Sequence, residues 1–191
     1  MNVEKLEKNI LQIGRQAKEA SRYVSQLSTN LKNEILCSAA ENLLKNKDII
    51  LKANELDIKE NRDKLNSATL DRLILDEKRI ESISNGLEEI SKLEDPVGKI
   101  IENWSRPNGL KIEKISIPLG VIGVIYESRP NVSADAAGLC LKSGNAIILR
   151  GGSESFYSSS KIVEIINSTY ENFKLPVGVL QYIPTKDRSA V

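Results

Sequence analysis

The sequence predicts an α/β fold, with a helical lead-in followed by part of a parallel sheet crossed by helices. Three observations predict it. The first hundred residues carry apolar stripes at helical spacing. The stretch from Ile117 to Gly152, IPLGVIGVIYESRPNVSADAAGLCLKSGNAIILRGG, reads as a strand, a polar elbow, a small-residue helix, a second strand and a Gly-Gly turn. A third apolar run, Val179 to Ile183, follows one more helix. Strands alternating with helices in this order argue for parallel pairing with right-handed crossovers.

In the lead-in, Leu6, Ile10, Ile13 and Ala17 make one stripe. Leu31, Ile35, Ala39 and Leu43 make a stronger one, with Leu36, Ala40 and Leu44 beside it. Asp48 is placed to cap a third helix through Ile49, Ile50, Ala53 and Leu56. Ser67 to Ile74 reads as a short helix. Asp76 starts the next, with Ile80, Ile83, Leu87 and Ile90 inward. The Lys and Glu residues between stripes read as solvated faces. Asp95-Pro96-Val97-Gly98 ends this pattern and Arg106-Pro107-Asn108-Gly109 is a turn. Leu110 to Ile117 alternates as an exposed strand, with a slip at Glu113-Lys114 that marks a bulge or a bend.

Beyond it, Val121–Ile125 and Ala146–Leu149 are short, β-branched and apolar, as strands buried on both faces are. Between them, Ser133, Ala134, Ala136, Ala137 and Gly138 give the helix from Asn131 to Lys142 a small side that can lie close to a sheet. Ser153 is placed to cap a helix from Glu154 to about Asn172, with Ile162, Ile165, Ile166 and Tyr170 inward. Thr185 to Arg188 reads as a helix start. The expected organisation is a helical region over 1–106, an extended strand linker over 107–118, and the first half of a parallel-sheet α/β domain over 119–191. Three strands and an unfinished helix leave an open edge. Either a partner covers it or the chain is the front part of something longer.

Composition narrows the function. There are 27 basic and 26 acidic residues, for a net charge of +1, which gives no global attraction to nucleic acid or membrane. The charged start, MNVEKLEKNI, is no signal peptide, and no apolar run reaches a membrane span, so a soluble cytoplasmic protein is expected. The two cysteines, Cys37 and Cys140, have no metal or disulfide spacing. With no histidine in the chain, a Ser-His or Cys-His pair cannot form within it.

The words GVIGVIYESRPNV and LCLKSGNAIILRGGSES, with Leu70-Asp71-Arg72-Leu73, DPVGKI, RPNGLKIEKI and Val179-Leu180-Gln181 around them, resemble the gamma-glutamyl phosphate reductase (glutamate-5-semialdehyde dehydrogenase) branch of the aldehyde dehydrogenase superfamily. The resemblance covers nearly the whole chain and implies the front of that fold, a Rossmann-type parallel sheet. It also implies a reaction, the NADPH-dependent reduction of L-glutamyl 5-phosphate to glutamate 5-semialdehyde in proline biosynthesis. In that reaction a cysteine thiolate takes the acyl group from phosphate before reduction. Family chains are roughly twice this long, more than one domain by size, and their nucleophilic cysteine lies outside the portion matched here. A homo-oligomer is implied for the complete protein.

The same resemblance assigns roles. Asn131, in Ser128-Arg129-Pro130-Asn131, corresponds to the family's oxyanion donor. From spacing alone, a helix cap is the favoured reading. Arg129 is implied in binding the anionic substrate, or else pairs with Glu127. Arg150, Gly151, Gly152, Ser153 and Glu154 follow a strand at its carboxyl end and are implied in holding the cofactor's ribose, with Arg150 suited to the 2'-phosphate of NADP. Read locally, they are an ordinary strand-to-helix turn. Gly120 and Gly123 precede and enter a strand and are assigned to packing, not to a dinucleotide fingerprint. Cys140, between Leu139 and Leu141, is expected in the core and not as the nucleophile, and Cys37 is likewise assigned to the core. No metal site is expected. The competing reading is a non-catalytic nucleotide-binding or assembly module.

Overall fold

The computed structural model describes residues 3–187. Five helices come first: α1 (Val3–Val24), α2 (Thr29–Lys45), α3 (Lys47–Asn61), α4 (Ser67–Leu73) and α5 (Glu77–Lys92). An antiparallel hairpin follows, β1 (Ile100–Ser105) and β2 (Lys111–Ile115). The chain continues as β3 (Val121–Ile125), α6 (Val132–Lys142), β4 (Ala146–Arg150), a 3-10 turn (Ser153–Ser155), α7 (Phe156–Asn172) and β5 (Leu180–Tyr182). β3, β4 and β5 form a parallel sheet in that order, with Ile125 beside Arg150 and Leu149 beside Tyr182. The α/β class and the parallel order therefore match the expectation.

β4 is the central strand and its side chains divide the core. Ile147 and Leu149 join the large cluster built with α2, α5, α6 and α7. Ile148, pointing the other way along the period-2 strand, packs with Leu6, Ile10 and Ile183. Thus α1 covers one face of the sheet, and α6 and α7 cover the other with α2, α3 and α5 behind them. The lead-in helices share the core of the α/β unit.

Several local expectations are corrected. β3 is an edge strand, not one buried on both faces, and Ile125 is 65 % exposed. β1 lies within the region read as helical, and pairs with β2. The bulge sits on β1 between Ile100 and Glu102, opposite Lys114 and Ile115, so the slip in the β2 alternation answers an extra residue in its partner. α3 starts at Lys47, before Asp48, and turns Ile50, Ala53, Asn54 and Asp57 inward while Ile49 and Leu56 face out. Asp57 accepts from Tyr157 N (3.0 Å), Ser158 N (2.8 Å) and Ser158 Oγ (2.5 Å), so the cap of α7 comes from α3 and not from Ser153. Lys32, read as part of a solvated face, is buried, and so is Lys142 on α6. Lys32 pairs with Asp95 at 2.9 Å, and Lys142 donates to Asn33 and the Ser91 carbonyl. Asp76 caps α5 as expected, accepting from Arg79 N at 2.7 Å. Thr185–Asp187 are not helical, and Arg188 lies outside the described residues.

Gly138 faces the helices, not the sheet. A Cβ there would lie 2.7 Å from Leu87 Cδ2 and 3.1 Å from Ile90 Cδ1, so the small side of α6 admits α5. Gly120 is needed for its φ of +109°, and its N–H donates to Asn145 Oδ1 at 2.8 Å. Gly123 has open space where a Cβ would go, which removes the packing role assigned to it.

Candidate functional site

The carboxyl ends of β3 and β4 lie side by side, Tyr126 N donating to the Arg150 carbonyl at 3.1 Å. Two turns leave from there, Glu127–Asn131 into α6 and Gly151–Ser155 into α7. In open parallel sheets this is where ligands bind.

Glu154 joins the two turns. Its Oε1 accepts from Ser128 N at 2.9 Å and Ser128 Oγ at 2.7 Å, and Ser153 Oγ reaches Oε2 at 3.3 Å. Burial pushes the Glu154 carboxyl up, but the hydrogen bonds from Ser128 outweigh it and hold the group below its ordinary value. Ser128 needs this grip. Its φ is +47°, in the left-handed region that L-residues avoid, and it is buried. The Ser128 turn in turn sets the direction in which Arg129, Pro130 and Asn131 leave the sheet.

Asn131 sits at the N-cap of α6 without making a side-chain cap bond, so the local capping reading falls away. Its Nδ2 donates to Asp135 Oδ2 at 2.9 Å, one helical turn on. An amide nitrogen has two hydrogens, so this bond orients the group and leaves a second donor. Burial pushes the Asp135 carboxyl up, with the Asn131 bond opposing. Arg129 is exposed, and among the described residues it forms no ion pair with Glu127 or any other carboxylate.

Arg150 is buried. Its guanidinium donates to the Gly151 carbonyl and, at 3.3 Å, to the Lys186 carbonyl, while Nε is buried without a partner. Among the described residues no carboxylate is hydrogen-bonded or ion-paired to it. Beside it a recess of about 230 Å³ is lined by Ile125, Tyr126, Glu127, Gly152, Ser153 and Glu154. A buried guanidinium with an orphaned N–H, next to an open recess at a strand end, fits the ribose and phosphate side of a nucleotide. The glycines have another cause. A Cβ on Gly151 would meet Tyr182 Oη at 2.7 Å, and one on Gly152 would fall on the Glu154 carboxylate.

Cys140 is buried, and burial pushes its thiol up to about 11. That suits the core assignment. Cys37 is exposed, with its thiol 3.4 Å from Ser91 Oγ, which corrects its assignment to the core. No group of metal-ligating side chains occurs among the described residues, and no helix there is long and apolar enough to cross a membrane.

Sequence reasoning missed Asp135, although an Asn-Asp pair four apart on a helix was a usable signal. It also missed that Glu154 serves Ser128, a contact across 26 residues with no local signature.

Residues 4–191 match the aldehyde dehydrogenase family, and the chain belongs to that family. Within it, the chain is similar to the gamma-glutamyl phosphate reductase of Halothermothrix orenii, 54 % identical over 178 residues, covering 93 % of this chain and 43 % of that one. Two crystal structures agree. The gamma-glutamyl phosphate reductase of Thermotoga maritima superposes with a TM-score of 0.91 at 37 % identity, over 94 % of this chain and 44 % of that one. That of Saccharomyces cerevisiae gives 0.87 at 34 %, over 92 % and 46 %. The chain thus spans less than half the length of these relatives and corresponds to their N-terminal part.

Proposed function

We propose that this chain is the N-terminal part of an NADPH-dependent reductase that converts L-glutamyl 5-phosphate to L-glutamate 5-semialdehyde in the cytoplasm, as a homo-oligomer when complete. The observation that carries the reading is the Glu154–Ser128 lock, which sets the Asn131 elbow and the Arg150 turn side by side at one sheet end.

In this reading Asn131 donates its free amide hydrogen to the oxygen that gains negative charge as the acyl carbon becomes tetrahedral. An amide does so without losing a proton. Asp135 holds the amide in place. Arg129 meets the anionic substrate. The Gly151–Ser153 turn and Arg150 hold the adenosine side of the cofactor, and Arg150 favours the 2'-phosphate. When bound, the reduced nicotinamide supplies hydride. The acyl-accepting cysteine comes from the part of the relatives not matched here, since Cys140 is a buried thiol on a packing helix.

The test is NADPH oxidation with glutamyl phosphate. The 191-residue chain alone gives no turnover, and adding the remaining half restores it. In that complete enzyme Arg150→Ala lowers kcat/KM for NADPH ten- to a hundredfold more than for NADH, the scale of one charge-assisted contact of about 1.5–3 kcal/mol. Turnover by the chain alone that disappears in Cys140→Ser, or equal loss with both cofactors, overturns the corresponding assignment.

A further inference from the structure

A cleft of about 330 Å³ lies between the α4–α5 segment and the start of α6, apart from the recess beside Arg150. Arg72, Arg79 and Arg129 line it, with Asn131 and Asp135 on the α6 side. Arg79 is held by its own segment. It pairs with Asp71 Oδ1 at 2.9 Å, reaches the Ile74 carbonyl at 2.7 Å, and also donates to the Asp71 carbonyl. Arg72 and Arg129 are exposed, and among the described residues neither guanidinium has a hydrogen bond or an ion pair. The Asp71 carboxylate is committed to Arg79, and Asp135 accepts from Asn131.

Both arginines are carried by anchored backbone. Asn54 is buried and grips the chain just after Arg72, its Nδ2 donating to the Leu73 carbonyl and its Oδ1 accepting from Leu75 N, both at 2.8 Å. Arg129 follows directly on Ser128, which Glu154 holds. Two guanidiniums on anchored segments, neither hydrogen-bonded nor ion-paired among the described residues, line one cleft that an anion can enter. A planar fork of donors suits the oxygens of phosphate or carboxylate.

We infer that Arg72 and Arg129 form an anion clamp that holds a phosphate or carboxylate group of the substrate beside the Asn131 amide. The identity of that substrate rests on the proposed function, whereas the clamp rests on the cleft. Among the described residues the Arg72 guanidinium makes no hydrogen bond or ion pair, so melting temperatures can separate a loss of binding from a loss of fold.

Titration calorimetry of the purified chain with inorganic phosphate, and separately with L-glutamate, tests the clamp, with melting temperatures recorded for each variant. At least one anion binds. Arg72→Ala and Arg129→Ala each weaken that binding tenfold or more, Arg72→Lys falls between, and Arg106→Ala on the distant hairpin has no effect. Phosphate as the ligand places the acyl phosphate in the clamp; glutamate places the amino-acid end there. Binding of neither anion, or unchanged binding in Arg72→Ala, overturns the inference. No turnover is read in this experiment, so a failure of the proposed reaction leaves its outcome intact.

Discussion

The Ser128–Glu154 lock makes an unusual demand on substitutions at position 128. Glycine in place of a residue commonly destabilises more than alanine, because it frees the unfolded backbone. At Ser128 the order reverses. Either change removes the Oγ bond of 2.7 Å to Glu154. A hydrogen bond to a charged group contributes about 1.5–3 kcal/mol, and the partial exposure of Glu154 places this one near the lower figure. Alanine keeps the φ of +47° and its steric cost. Glycine relieves that cost, of roughly 1–2 kcal/mol. Ser128→Ala is therefore expected to lose about 1.5–2 kcal/mol, and Ser128→Gly roughly 1 kcal/mol less. Glu154→Ala removes both contacts to Ser128 and the weaker one from Ser153, and strands the Ser128 N–H, for about 2–3 kcal/mol. Glu154→Gln, whose amide oxygen still accepts, costs about 1 kcal/mol. Urea denaturation followed by circular dichroism measures all four. Alanine milder than glycine at 128, or a Glu154→Ala midpoint equal to wild type, refutes the reasoning.

Other outcomes follow from the same geometry. Because Glu154 titrates below its unfolded value, the stability it contributes is present above about pH 4.3 and is lost as pH falls through the folded value. The stability gap between wild type and Glu154→Gln should close in that window, and a gap constant from pH 7 to 3 would deny the lock. With the Cys140 thiol near 11, ionisation alone makes it react about two orders of magnitude more slowly at pH 8 than an ordinary thiol of about 8.5. Mass spectrometry after iodoacetamide should find Cys37 labelled first and Cys140 only on unfolding. Gly138→Ala gains about 1 kcal/mol of helix propensity but forces a methyl onto Leu87 and Ile90, at about 1–3 kcal/mol. A net loss in thermal stability is expected, and a net gain would mean that α5 yields.

The architecture was legible because β-α-β alternation and helical stripes are periodic signals that survive in any context. The stripe of α5, the Asp76 cap and the buried β4 were all readable from residue types. What was illegible depended on contacts distant in sequence. β1 carries no clean alternation because the hairpin is exposed on both faces. The buried face of α3 is polar because Asn54 and Asp57 satisfy backbone groups of other segments, which no hydrophobic period announces. The residues of the candidate site were found through the resemblance to a family. Their partners, Glu154 for Ser128 and Asp135 for Asn131, came from the structure, and they turn a set of matched letters into a geometry.

The central claim is that the elbow after β3 presents the Asn131 amide to a developing oxyanion. The most direct measurement is the turnover of Asn131→Ala in a complete reductase carrying this segment, with cofactor affinity and melting temperature measured on the same protein. A fall in kcat of about 10²–10³-fold is expected, with cofactor affinity near wild type and only the loss of the Asn131–Asp135 bond, not of a helix cap, to lower the melting temperature. Near-normal turnover together with a lowered melting temperature would contradict the claim.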